Sequence, residues 1–235
     1  MTERDHEHEL QASWIANASA WTEAVRESRI PSRAAGTDSA IVDAILREPP
    51  GDVLDVGCGE GWLGRVLAES GRRVVGVDGS APLIERAQER GGEFLVASYD
   101  DLIQYPQRVG DAYQVIVLNF AVLSERPAPL LASLATLLVP RGALIVQTLH
   151  PWAVADGAYR DGWRVESFAA MTGSSFVPMP WYFRTVGSWL AVVREAGLVV
   201  DQLEEPLQPE TGRPLSLLLI CRRAGELAPR GGRQT

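Results

Sequence analysis

No lysine occurs among the 235 residues, so all 22 basic side chains are arginines. An arginine stays protonated in a folded protein, which excludes Schiff-base formation, a lysine general base and the phosphate-binding lysine of a P-loop. Cysteine occurs twice, as Cys58 and Cys221, too few for a disulfide framework or a four-cysteine zinc site. Histidine is nearly as scarce: His6 and His8 lie in a charged leader, leaving His150 as the one imidazole in the body of the chain. No run approaches the roughly 18 apolar residues of a bilayer span, and residues 1–10 are charged rather than signal-like. A basic surplus is missing too. Acidic residues number 30, and the net charge of −8 speaks against unspecific nucleic-acid binding and against an anionic membrane surface. These absences lead to the expectation of a soluble, cytoplasmic protein with neither nucleic acid nor a membrane among its partners.

The residues present describe a globular chain, 46% hydrophobic and 22% charged, long enough for one large domain or a domain with an insertion. Leu10, Trp14, Ala18, Trp21 and Val25 recur at spacings of three and four, predicting an amphipathic helix over 7–28. Pro31 and Gly36 interrupt the chain, and a second helix starts with Asp38 or Ser39 as its cap and stops at Pro49-Pro-Gly51. Short apolar strands then alternate with helices: strands at 53–56, 73–77, 93–97, 115–118 and 143–149, helices at 62–70, 81–90 and 129–138. Such alternation implies parallel βαβ units with helices on both faces of a sheet. The rhythm fails over 150–184 and resumes with a helix at 186–196 and strands near 198–203 and 215–221. The domain organisation expected is a helical cap over 1–50, a ligand-binding domain over 51–223 carrying an insertion at 150–184, and a frayed tail over 224–235.

The most informative segment is Val53-Leu-Asp-Val-Gly-Cys-Gly-Glu-Gly61, a buried strand running into three alternating glycines and then a helix. Glycines permit turns closed to other residues and let a ligand approach the main chain, and open α/β sheets bind ligands outside the carboxyl ends of their strands. Asp78 ends the next strand, where a carboxylate accepts the hydroxyl protons of a ribose. A G-x-G-x-x-G string is present as Gly59-Glu-Gly61-Trp-Leu-Gly64, but Gly57 and Cys58 already stand between the strand and its first glycine. The dinucleotide register is therefore poor, and an NAD-dependent oxidoreductase stands as a minor alternative.

With these motifs the sequence resembles the class I S-adenosylmethionine-dependent methyltransferases, over roughly residues 40–223 and most closely at Leu54–Gly61. The resemblance implies an α/β, three-layer, Rossmann-like doubly wound sheet of seven strands with the last strand antiparallel, here with N-terminal helices and an aromatic-rich insertion after strand five. It implies S-adenosylmethionine as cofactor. The loop of Gly57, Cys58, Gly59 and Gly61 would lie under its methionine part, Asp55 would reach its amino group through water, and Asp78, followed by Gly79, would hold the ribose hydroxyls. The family's adenine-binding acid falls near Ser98, Tyr99 and Asp100, without the residues deciding which of the three takes that place. Asn119 and Phe120 follow the fourth strand, where the family lines the methyl-transfer centre; core packing is an equal reading for Phe120. A module that binds the cofactor without turnover is a further alternative.

Methyl transfer from a sulfonium needs alignment of nucleophile, carbon and sulfur, and no metal. His150, at the end of the fifth strand, is the candidate base or substrate-orienting group; a hydrogen-bonded turn before Pro151 is the plainer alternative. Nine of the 17 aromatics fall between His150 and Trp189, against about three expected from composition. They read as a lid over a flat acceptor, or as a satellite cluster or homodimer contact. Trp152, Trp181, Tyr182 and Arg184 of this stretch, with Trp14, Trp21 and Arg33 from the N-terminal region, are the candidate substrate residues. Asn119-Phe-Ala-Val122 departs from the Asn/Asp-Pro-Pro-Tyr pattern of enzymes that methylate amino groups of DNA or glutamine. The expected partner is a small molecule, methylated on oxygen by preference, with carbon or nitrogen as alternatives.

Overall fold

The computed structural model describes residues 3–155, 158–169, 171 and 175–226. The first helix, α1 (Glu3–Arg26), starts earlier than its apolar pattern because the leader with His6 and His8 is also helical. A π turn (Arg33–Thr37) leads directly into α2 (Asp38–Arg47) through Gly36, whose φ of 147° only glycine adopts freely. Asp38 does not cap this helix as expected: its carboxylate is taken by Arg33 Nε at 2.8 and 3.0 Å.

Four βα steps and a fifth strand follow: β1 (Val53–Val56), α3 (Trp62–Glu69), β2 (Val74–Asp78), α4 (Ala81–Gln88), β3 (Glu93–Val96), α5 (Tyr99–Gln104), β4 (Tyr113–Asn119), α6 (Ala128–Ala135) and β5 (Leu138–Leu149). After the insertion come α7 (Val186–Glu195), β8 (Leu198–Glu204) and β9 (Ser216–Arg223), while β6 (Gly162–Glu166) and β7 (Met179–Phe183) lie within it. The seven-stranded sheet has the order β3-β2-β1-β4-β5-β9-β8. All pairs from β3 to β5 are parallel, and β9, last in sequence, runs antiparallel between β5 and β8. The strand order reverses between β1 and β4, which opens the crevice where doubly wound sheets take their ligands.

Alternation along the strands feeds both faces. In β4, Ile116 and Leu118 join one core with α6 and α7, and Val115 and Val117 join the other with α2 and α3. A third cluster, with Leu10, Leu123, Phe168 and Met179 buried, lies under α1 and the insertion at the mouth of the crevice.

Besides α5, which the sequence pattern does not predict, the fifth strand and the insertion differ from that pattern. The fifth strand begins at Leu138 rather than after Pro140-Arg-Gly142, because the ladder shifts register between the Tyr113–Leu138 and Val115–Ala143 pairs and bulges out the proline, which has no N–H to pair. The insertion also holds a two-stranded antiparallel sheet, pairing Trp163 with Tyr182 and Arg164 with Trp181. It shows no period of two because Trp181 faces the crevice while Tyr182 on the opposite face packs edge-on to Trp163, so consecutive residues are both aromatic. Of the expected frayed tail, residues 227–235 lie outside the described residues, whereas Ala224 donates its N–H to the Gly197 carbonyl.

Candidate active site

Between β1 and α3 the backbone turns on three left-handed glycines. At Gly57 (φ 73°) an added Cβ would stand 2.5 Å from the Ala121 Cβ, and at Gly61 (φ 79°) 2.5 Å from the Phe94 ring, so both positions require glycine by backbone angle and by space. The Gly57 and Cys58 N–H groups donate to the Val77 carbonyl at 2.7 and 3.0 Å, tying the loop to β2. The Cys58 thiol is buried and is pushed well up by burial, then by Asp55 and Asp78, which leaves it an inert packing group.

Asp78 ends β2 with one oxygen accepting from Gly59 N (3.0 Å) and the other from Ser80 N (2.8 Å). A carboxylate has about four lone-pair sites, so two are left for a ligand. Burial raises its pKa, and those two backbone donors hold it back. Asp55, beneath the loop, is pushed up to about 7 by burial first and by Asp78 second. Its Oδ2 has no protein partner, and neither do the buried Asn119 Oδ1 and Ser80 Oγ. Buried polar atoms are ordinarily paired. Unpaired acceptors at the carboxyl ends of adjacent strands therefore match a ligand that brings an amino group and hydroxyls, as the methionyl and ribosyl parts of S-adenosylmethionine do.

Asp78, Ser80 and Asn119 open into a cavity of about 830 Å³, which Asp55 does not line. One arm runs past Gly79 and Leu83 to Ser98, Tyr99, Asp100 and Ile103. Ser98 caps α5 there: its hydroxyl is held by Asp101 Oδ2 at 2.6 Å and accepts the Asp101 N–H. Tyr99 donates its hydroxyl to the Ala121 carbonyl at 2.7 Å, and burial raises its pKa. Of the three candidates for the adenine position, Asp100 keeps an exposed carboxylate at the wall. The other arm passes Asn119 and Phe120 into an apolar chamber walled by Trp14, Leu123, Phe168, Met171 and Trp181. Phe120 sits at φ 54°, a left-handed angle costly for an aromatic residue and held by its N–H to the Gln147 carbonyl at 2.7 Å. Trp21 covers Gly59, its Nε1 3.6 Å from where a Cβ would stand, and packs edge-on to Trp14 at 5.3 Å. Arg33 also lines the cavity, its Nε bound to Asp38 and its guanidinium 4.2 Å from the centre of the Trp62 ring.

Six expected site residues do not line this wall: Asp55 and Gly61 stand behind the loop, and His150, Trp152, Tyr182 and Arg184 are turned elsewhere. His150 is buried between two partners: Nε2 lies 2.8 Å from Glu205 Oε1, and Nδ1 accepts the Trp152 N–H at 3.2 Å. That pairing assigns the proton to Nε2 and leaves neither nitrogen facing the cavity. Trp152 is exposed on the far side of the same turn. Tyr182 packs on Trp163, and Arg184 is buried, donating to the Ser124 and Glu125 carbonyls at 2.6 Å each. Conversely, Glu7, His8 and Gln11 of the leader reach the wall. Their spacing from Trp14 on one helical face was the signal available for Glu7 and Gln11.

Fold and site together define a class I S-adenosylmethionine-dependent methyltransferase, an enzyme class. The chain belongs to the Methyltransferase domain family, which matches residues 29–203. It is 25% identical over 177 residues to an uncharacterised methyltransferase of Schizosaccharomyces pombe, covering 72% of this chain and 67% of that one. A ubiquinone biosynthesis O-methyltransferase of Xylella fastidiosa is 32% identical over 104 residues, 42% of each chain. The fold is similar to that of the 1,6-didemethyltoxoflavin-N1-methyltransferase of Burkholderia thailandensis, solved with its substrate and S-adenosylhomocysteine, at a TM-score of 0.64 and 22% identity, over 95% of this chain and 91% of that one. No helix among the described residues is long and apolar enough to cross a membrane.

Proposed function

We propose that the protein transfers the methyl group of S-adenosylmethionine to a small aromatic or apolar acceptor, with a hydroxyl oxygen favoured as the methylated atom. The observation that carries this reading is the continuity of the 830 Å³ cavity from Asp78 and the glycine loop into the chamber of Trp14, Phe168 and Trp181. That volume lies toward the upper end of the roughly 300–1,000 Å³ of single-ligand sites, so a donor and an acceptor fit together.

When bound, the cofactor supplies an electrophilic methyl on a sulfonium. Gly57, Cys58 and Gly59, with Gly61 behind them, would offer backbone to its methionyl part; the unpaired Asn119 oxygen would meet its ammonium group, and Asp55, off the cavity wall, would reach that group through water. Arg33, which lines the cavity with its Nε bound to Asp38, would offer its remaining N–H groups to an acidic group of the bound molecules. The two open lone-pair sites of Asp78, with Gly79 beside them, accept the ribose hydroxyls, and Asp100, with Ser98 and Tyr99 behind it, borders the adenine. On the other arm Phe120, Leu123 and Trp181 present flat apolar walls that exclude water and hold the acceptor in line. His150 is a positioning residue here, fixing the turn from β5 into the insertion through Glu205 and Trp152.

Partial similarity to a ubiquinone O-methyltransferase supports oxygen as acceptor. The fold neighbour that methylates a ring nitrogen makes nitrogen the second reading. Calorimetric titration with S-adenosylhomocysteine tests the donor site, and its failure to bind overturns the proposal. Tritium transfer from labelled S-adenosylmethionine to a panel of phenols and nitrogen heterocycles tests the acceptor: labelled phenol ethers support oxygen, and label confined to the heterocycles replaces it with nitrogen.

A further inference from the structure

The glycine loop carries one side chain that the reading above does not use. Glu60 stands between Gly59 and Gly61, and its side chain is 0% exposed. Its Oε2 accepts from Arg26 Nε of α1 at 3.1 Å, and its Oε1 from Arg65 Nη2 of α3 at 2.5 Å. Arg26 reaches further, donating from Nη2 to the Arg86 carbonyl of α4 at 2.8 Å and pairing with Glu89 at 3.3 Å. One guanidinium thus joins α1 to the loop under the methionyl site and to the helix that follows Asp78.

The other end of α1 is fastened to the acceptor side. Glu7 Oε1 accepts the Glu125 N–H at 2.8 Å in the segment after β4, and His6 stacks on Trp163 of β6 with ring centres 4.5 Å apart. Asn17, fully buried mid-helix, forms a two-way bond with Val177, donating to its carbonyl at 2.9 Å and accepting its N–H at 2.7 Å. Between these anchors α1 lays Trp21 over Gly59 and Trp14 over the apolar chamber. A buried carboxylate without its cationic partners is strongly disfavoured, so a movement of the loop must carry Arg26 with it or break the pair.

We propose that Arg26 and Glu60 are positioning residues that couple seating of the cofactor on the glycine loop to closure of the acceptor chamber, with α1 as the strap between them. The inference rests on the S-adenosylmethionine reading of the site. Trp14 then comes into place over the acceptor only when the loop beneath Trp21 is in its ligand-holding position.

The test is titration of the full chain with S-adenosylhomocysteine, by calorimetry and by hydrogen exchange, for the wild type, Arg26→Gln, Glu60→Gln and the double variant. Each single substitution is expected to weaken binding about tenfold, and the double variant by clearly less than the product of the two, because both break the shared Arg26–Glu60 pair while each also loses contacts of its own. Ligand-induced protection of the residues 7–21 is expected to vanish in Arg26→Gln while protection of β1 and the glycine loop persists, a split that general loss of stability would not give. Wild-type affinity and undiminished α1 protection in Arg26→Gln overturn the coupling. Because Arg26 is partly exposed, that variant decides the matter even where Glu60→Gln does not fold. No binding by the wild type overturns the donor site itself.

Discussion

Single side chains at the carboxyl edge of the sheet carry the sharpest expectations. Asp78→Asn removes the charge that two backbone N–H groups already orient. Hydrogen bonds to charged groups contribute about 1.5–3 kcal/mol, so affinity for S-adenosylhomocysteine should fall roughly ten- to a hundredfold by calorimetry. Asp55 gives a pH signature. Its folded pKa of about 7 lies above the 3.8 of an ordinary aspartate, so between those values the folded ligand-free protein binds more protons than the unfolded chain. Stability should therefore fall as pH rises from about 4 to about 7, by an order of a few kcal/mol, and stay low above that. Thermal unfolding across this window should show the slope in the wild type and a flatter profile in Asp55→Asn. For His150→Ala the placement between Glu205 and Trp152 leads to a lowered Tm with kcat, once an acceptor is known, within a few-fold of wild type. A collapse of kcat at unchanged Tm would return His150 to the chemistry.

At the scale of elements, the loop and the insertion depend on different physics. Gly61→Ala forces a Cβ to 2.5 Å from Phe94 at a left-handed angle, and should destabilise the fold by about 2 kcal/mol or more in denaturant titration. Arg184 ties β7 to the Ser124 and Glu125 carbonyls from a buried position, so Arg184→Gln should cost about 3 kcal/mol, some 6–12 °C in Tm. These two cases also show what the sequence made legible. The glycine loop and Asp78 could be read because left-handed turns and strand ends leave a fixed local spacing in the residues. The β6–β7 pair could not, since its rings pack on both faces and erase the alternation on which strand recognition depends. His150 was expected at the site from its strand-end position alone, and position along a strand does not reveal that Glu205, 55 residues later, faces the same imidazole. His8 lies in a charged leader without an apolar period to mark it, yet that leader folds as the first turns of α1 and brings it to the cavity.

At the scale of the whole molecule, the sheet divides into a half that carries the glycine loop and Asp78, β3 to β1, and a half beside the apolar chamber, β4 and β5, with the cavity across their junction. The second half is completed out of chain order, because β9 pairs with β5 on one side and β8 on the other. During synthesis on the ribosome, β5 must therefore wait, unpaired along one side, while some 66 further residues, from 150 to 215, are translated. A chain ending before Ser216 would carry its glycine-loop half whole but leave the apolar central strand β5 open along one edge to pairing with neighbouring chains.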